Sequence, residues 1–297
     1  MSEWHPVCIE DRETWARAMA EEDTRDSSCS FGSLFLWDHL CARNIAAAGN
    51  RLCSEYICAH RPPFYGYPIG GGSLEQALEL MAARCSAGNR RLIMRCVSKE
   101  QCERLEAASP GHFKFTPDRS NADYIYSAEA LASLSGKKLH GKRNHCNRFE
   151  QAHEWHTETL SPALWEDCRV VFSAWTAAQG GEDAEDEAVA IENAMRYWRT
   201  LDFFGILLYA DGQPAAFSMG ERLNEDTFDV HFEKALPGLE GAYPVICRET
   251  AKELRLRFPQ ISLINREEDM GIPGLRKAKE EWFPLYLLDK YTAEFIG

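Results

Sequence analysis

Several familiar signatures are missing from this sequence. No CxxC pair occurs among its 11 cysteines; the closest spacings are Cys53 to Cys58 and Cys96 to Cys102. That argues against a thiolate zinc site and against a disulfide framework, and the cysteines read as reduced, small, mostly buried apolar residues. No apolar run approaches the ~18–20 residues that cross a bilayer. The opening MSEWHPVCIEDRETW has no basic segment leading into an apolar one, so it does not read as a signal peptide. The expectation is a cytoplasmic chain with no membrane span. Positive charge is in deficit: 33 Lys and Arg stand against 46 Asp and Glu, a formal net charge of −13. Long-range attraction to nucleic acid or an anionic membrane is unfavourable, and any polyanion has to be met by a local basic patch. GxSxG, the Walker loop and GxGxxG do not occur, so serine hydrolase, nucleotide hydrolase and dehydrogenase readings lack their motifs.

What remains is an ordinary globular composition, 45% apolar and 27% charged over 297 residues, enough for about two domains. The division falls at residues 1–130 and 131–297. In the first half, 27–42 carries Phe31, Leu34, Phe35, Trp37 and Leu40 at helical spacing after serines that can cap. Short apolar runs follow at 51–59 and 64–69, strands at 92–97 and 123–126, a capped helix after Ser73 and a short helix from Lys99. In the second half, a helix at 162–178 and an acidic loop, GGEDAEDE, lead to a helix at 187–200. Strands at 204–210, 214–223 and 226–234, joined by short turns, make an antiparallel meander. GLEGAYPVICRETAKELRLRF is a glycine lead into a long helix, and a strand at 261–264 follows it. The fold class is α+β, with helices packed on mixed sheets.

Three stretches can carry chemistry. SGKKLHGKRNHCNRFE (135–150) is the main cationic patch; Lys138, Lys142 and Arg148 can share a helix face, with Arg143 and Asn144 beside them. It reads as a cradle for phosphate or the acceptor end of a nucleic acid, or as a solvated helix face. HFEKALPGLEGAYPV (231–245) ends a strand, passes Gly238 and Gly241 and begins a helix at Ala242, a place where backbone N–H groups can hold a pyrophosphate near Lys234. Glu233, at the strand end beside His231, can act as general base or simply pair with a lysine. INREEDMGIPGLRKAKEEWFP (264–284) sets Asn265, Arg266, Glu267 and Asp269 after a strand. Gly271 and Gly274 are free to take positive φ, and Arg276 and Lys279 follow on a short helix. Here Asp269 is the second candidate base, and the alternative is a capped turn whose acids neutralise the cations. HEWH at 153–156 has no third ligand nearby, so no metal is expected.

The stretches DYIYSAEALASLSGKKLHGKRNHCNRF, AFSMGERL, VHFEKA and INREEDMGIPGLRKAKEEWFPLYLLDKY resemble motifs of the uncharacterised bacterial proteins grouped with the C-terminal domain of phosphatidylglycerol lysyltransferase. The resemblance implies two tandem acetyltransferase-like (GNAT) domains, each a mixed sheet flanked by helices. It also implies acyl or aminoacyl transfer to an amine or hydroxyl. It falls most strongly on Lys138, Lys142, Arg143, Asn144, Glu233, Lys234, Asn265, Arg266, Glu267, Asp269, Arg276 and Lys279. ALPGLEGA departs from the usual acyl-CoA loop of GNAT enzymes, Gln or Arg-x-x-Gly-x-Gly or Ala.

Together these readings predict a transferase with its active site in the second half. Aminoacyl-tRNA or acyl-CoA is the donor substrate, a small molecule or peptide the acceptor, and no cofactor is tightly bound. Glu233 or Asp269 is the base, and the bend near 270 and the cationic helix near 142 face one cleft. The alternative is a non-catalytic module that binds or senses a phosphate-bearing ligand on the same scaffold.

Overall fold

The computed structural model describes residues 3–297, which divide into two compact units. The first contains residues up to Asp123, Glu268–Pro273 and Leu287–Gly297; the second contains Tyr124–Glu267 and Gly274–Tyr286. The strands, in chain order, are β1 His5–Pro6, β2 Cys41–Ala48, β3 Arg51–Cys58, β4 Phe64–Tyr65, β5 Ile93–Ser98, β6 Phe113–Pro117 and β7 Asp123–Ser127. They continue with β8 Trp155–Thr159, β9 Phe204–Ala210, β10 Gln213–Arg222, β11 Thr227–Ala235, β12 Leu263–Asn265, β13 Tyr286–Leu288 and β14 Lys290–Phe295. The helices used below are α1 Leu74–Ala87, α2 Lys99–Ala108, α3 His140–Ala152, α4 Trp165–Gln179, α5 Glu182–Arg196, α6 Ala242–Arg257 and α7 Pro273–Glu280.

The first sheet runs β1-β2-β3-β4-β5-β14-β6, antiparallel except for β4 with β5. Helix α1 starts where the Ser73 hydroxyl accepts the Gln76 N–H at 3.2 Å, and α2 opens on a reciprocal Ser98–Gln101 capping box. Their apolar faces, Ala77, Met81 and Leu105 among them, close on Cys53, Tyr65, Met94 and Val97. Each such large side chain contributes about 1.5–3 kcal/mol on burial. At the start of β14, Lys290 is 2% exposed, with Nζ 2.7 Å from Asp123 and 2.9 Å from Asp26. The last strand of the chain, assigned by sequence to residues 131–297, thus lies between β5 and β6.

The second sheet runs β13-β7-β12-β11-β10-β9-β8; from β7 to β8 its neighbours are antiparallel except for β11 with β12. β9 (FGILLYA) is buried along its whole length, as a continuous apolar run in a central strand should be. Helix α6 covers one face through Val245, Ile246, Ala251 and Leu254, with Pro244 harmless in its first turn. The architecture is therefore the expected one of two mixed sheets flanked by helices.

Local expectations fail in four places. Within 27–42 the α-helix is only Phe31–Phe35, because Cys41 already begins β2. GGEDAEDE is not a loop: α5 starts at Glu182 and puts Glu182, Asp183 and Glu185 in its first turn, where the helix dipole favours carboxylates. The cationic helix α3 begins at His140, leaving Lys137 and Lys138 in the preceding turn. The cysteines are not all reduced either: Cys41 and Cys58 are register partners on β2 and β3 and form a disulfide.

Candidate functional site

Strand β11 carries the site because it keeps β10 beside it along its length but pairs with β12 only over its first part. On its β10 side the register runs Met219↔Phe232 and then Gly220↔Val230, so His231 is an inserted bulge residue. Gly220 permits this approach, since a Cβ there would stand 1.8 Å from the Asp229 carbonyl oxygen. On the other side β11 pairs with β12 from Thr227 to Asp229, where β12 ends at Asn265.

Past that point Arg266 Nη2 donates to Glu233 Oε1 at 2.7 Å, with the two side chains 14% and 8% exposed. The guanidinium lies 5.6 Å from the Tyr126 ring and 5.4 Å from Trp282. Its Nη1 is buried without a hydrogen-bond acceptor, and so is the hydroxyl of Ser218. Ser218 is the register partner of Glu233, so the two share a sheet face. Burial raises the Glu233 pKa, and the charges of Arg266, Lys234 and Lys279 only partly offset it.

The other residues singled out by sequence scatter around this centre. Lys234 Nζ is 2.7 Å from Glu187 and 3.7 Å from the Trp175 ring, a cation already neutralised. Gly238 and Gly241 both have positive φ, and Ala242 is fully buried at the start of α6. The glycine at 241 serves packing: a Cβ would meet the His145 carbonyl oxygen at 2.8 Å. On and before α3, Lys138 lies 5.6 Å from the Phe283 ring, while Lys142 is 3.3 Å from Glu281 and 5.0 Å from Trp282. Arg143 donates to the carbonyls of Leu134 and Gly136, and with Asn144 it holds His140. Gly136, Lys137, His140 and Arg143 line a shallow surface hollow. Arg148 is exposed, 3.7 Å from Glu240.

In the 264–284 stretch, the Asn265 side chain accepts the Glu267 N–H at 2.7 Å, and Glu267 takes φ +57°. Asp269 is fully buried; it accepts from Arg119 at 2.8 Å and from the Gly271 N–H at 2.8 Å. Met270 and Gly271 take positive φ. Gly274 does not, because it is already within α7. Arg276 is half-buried on α7, and Lys279 Nζ reaches the Arg266 carbonyl at 2.5 Å.

One group escaped the sequence reading. His231 is sandwiched between Glu267 (Nδ1 to Oε1, 2.8 Å) and Glu221 (Nε2 to Oε1, 3.1 Å), with Asp229 Oδ2 3.7 Å from Nδ1. Burial opposes protonation of this ring, but Asp229, Glu221 and Glu267 together push its pKa well above the ordinary value. The hairpin turns at 224–226 and so sets Glu221 opposite Asp229, whereas the turn at 224–225 expected from the sequence would have set Glu221 opposite Phe228. The bulge that adds His231 to them leaves no mark in the sequence pattern. HEWH is accounted for separately: His153 pairs with Asp211 at 2.6 Å, and His156 stacks on Tyr209.

The model of the phosphatidylglycerol lysyltransferase C-terminal family matches residues 20–294. A crystal structure of a conserved protein of unknown function from Bacteroides thetaiotaomicron is 32% identical, with 99% of this chain and 100% of that one covered and a TM-score of 0.93. L-PGS from Bacillus licheniformis is 17% identical, with 97% and 92% covered and a TM-score of 0.67. A tandem GNAT protein from the clavulanic acid biosynthesis pathway is 12% identical, with 99% and 98% covered and a TM-score of 0.51. These last two likenesses establish a tandem GNAT-like fold. Among curated proteins, an uncharacterised protein from Mycoplasmoides gallisepticum is 23% identical over 186 residues; the match spans 60% of this chain and 57% of that protein's length. No helix among the described residues is long and apolar enough to cross a membrane. On the match that runs nearly its whole length, the chain belongs to the phosphatidylglycerol lysyltransferase C-terminal family.

Proposed function

We propose that the second unit is an acyl or aminoacyl transferase that passes an activated acyl group to an amine or hydroxyl, with aminoacyl-tRNA favoured over acyl-CoA as donor. The observation that carries this reading is the surrounding of Glu233: a buried carboxylate sharing its face with two buried groups that lack acceptors, Arg266 Nη1 and the Ser218 hydroxyl. Buried donors without acceptors are costly, which supports a polar ligand as their partner.

In this reading the acceptor's nitrogen or oxygen attacks the donor carbonyl carbon while Glu233 removes its proton. The tetrahedral oxyanion is held by Arg266 Nη1 and by backbone N–H groups of β11 beyond Asp229; one such donor is worth about 3–4 kcal/mol. Collapse expels the tRNA 3′ oxygen or the coenzyme A thiolate. Lys137, His140 and Arg148, exposed at and beyond the hollow, suit donor phosphates. Asp269, closed off by Arg119 and the Gly271 N–H, is better suited to shaping the bend than to taking a proton.

The test is transfer of label from lysyl-tRNA and other aminoacyl-tRNAs, and separately from acetyl-CoA, to phosphatidylglycerol and to soluble amine acceptors. Transfer by the wild type that is lost in Glu233→Gln is the expected result. Donor binding without transfer to any acceptor would favour a sensing module, and no binding would remove both.

A further inference from the structure

The geometry points to a binding site for one divalent first-row transition-metal ion, Zn²⁺ or Mn²⁺, with His231 Nδ1, Asp229 Oδ2 and Glu267 Oε1 as its protein ligands. Nδ1 stands 2.8 Å from Glu267 Oε1 and 3.7 Å from Asp229 Oδ2, separations that fit ligands at about 2.0–2.2 Å from a single ion. The elements that place them are rigid. Asp229 is the last β11 residue paired with β12, His231 is the bulge residue two positions on, and Glu267 is fixed by the Asn265 side chain at its N–H.

A protonated imidazole held by carboxylates is the competing account: it pairs His231 with Glu267, with Glu221 and, at 3.7 Å, with Asp229. That 3.7 Å is longer than a hydrogen bond and ordinary between two ligands of one ion. Charge distinguishes the two accounts: within these four side chains a protonated ring offers one positive charge, whereas a divalent ion with a neutral ring offers two. Glu221 then has a natural role. It accepts from Nε2–H at 3.1 Å, which fixes the tautomer that turns the Nδ1 lone pair toward Asp229 and Glu267. One imidazole with two carboxylates suits Zn²⁺ or Mn²⁺ better than the softer, thiolate-seeking ions. Entry is through Glu267, whose side chain is 25% exposed while those of His231 and Asp229 are 1% and 0% exposed. Water completes the coordination sphere.

The experiment measures metal directly, so it stands whether or not transfer is ever detected. Chelator-treated full-length protein is titrated with Zn²⁺ and, separately, Mn²⁺ by calorimetry, with the melting temperature followed in parallel. The expected result is one equivalent of at least one ion bound at micromolar or lower Kd with a rise in Tm. Glu267→Gln should weaken that binding at least tenfold, and Asp229→Asn should abolish it. Because Asp229 is buried and its variant could fail to fold, Glu267→Gln at the exposed rim decides. Absence of stoichiometric binding of both ions to the wild type, or unchanged affinity in Glu267→Gln, overturns the site.

Discussion

Arg266 Nη2 sits 2.7 Å from Glu233 Oε1, just beyond the place where β11 and β12 stop pairing. The pair is nearly enclosed, so its members are not interchangeable. Glu233→Gln removes the base and its charge but keeps a hydrogen-bond acceptor for Arg266. We expect transfer to fall by about 10²–10⁴-fold with Tm little changed. Arg266→Met leaves the Glu233 carboxylate buried alone and should cost about 3–5 kcal/mol in urea unfolding as well as activity. Equal stability losses in the two variants would make the pair a structural one.

Asp269→Asn is expected to act on the fold. It removes the charge pairing with Arg119 and weakens the acceptor for the Gly271 N–H, for an expected loss of about 1–3 kcal/mol. Chemical denaturation of the variant checks this; unchanged stability with lost transfer would return Asp269 to the chemistry.

Gly220→Ala should be among the most damaging small substitutions in the second unit. Its Cβ would require the Asp229 carbonyl, 1.8 Å away, to move, and that displaces the bulge that sets His231. Circular dichroism melts should show a drop of several degrees or no cooperative transition, whereas Gly212→Ala, whose Cβ would meet nothing within 4 Å, costs less.

Glu55 supplies a pH dependence in the first unit. Burial alone would raise its pKa, but hydrogen bonds from Arg84, Arg90 and Asn44 bring it below the ordinary 4.5. A carboxylate depressed in the folded state adds stability that is fully present above its unfolded pKa and disappears as pH falls through the folded one. Wild type should therefore lose stability on acidification from about pH 5 downward. Glu55→Gln should show a shallower acid limb in Tm measured between pH 7 and 3. Parallel limbs would show that Glu55 contributes nothing to acid unfolding.

The meander and the helix capped by Ser73 were legible because their signals are local. FGILLYA, the turn at Asp211-Gly212, and Ser73 ahead of Gln76 each decide their own backbone. What stayed hidden depends on partners distant in sequence. Phe31, Phe35 and Trp37 keep helical spacing, yet pairing of Cys41–Ala48 with β3 claims the residues just beyond. Glu182, Asp183 and Glu185 look like a solvated loop until the helix dipole they serve is counted. At the site, Glu233 and Arg266 were both legible as candidates from strand ends, but their mutual contact and Ser218 opposite were not. That pairing requires knowing that β11 runs parallel to a strand reached only after a 16-residue helix.

Strand β14 has one more consequence, and it concerns timing. β5 and β6 both pair with it, so neither has its full complement of hydrogen bonds until residues 290–295 arrive. On the ribosome those residues leave the exit tunnel after the whole of the second sheet's β8 to β12. The N-terminal part must wait with two strand edges open while later-made segments can already settle, an interval in which holding chaperones have something to grip.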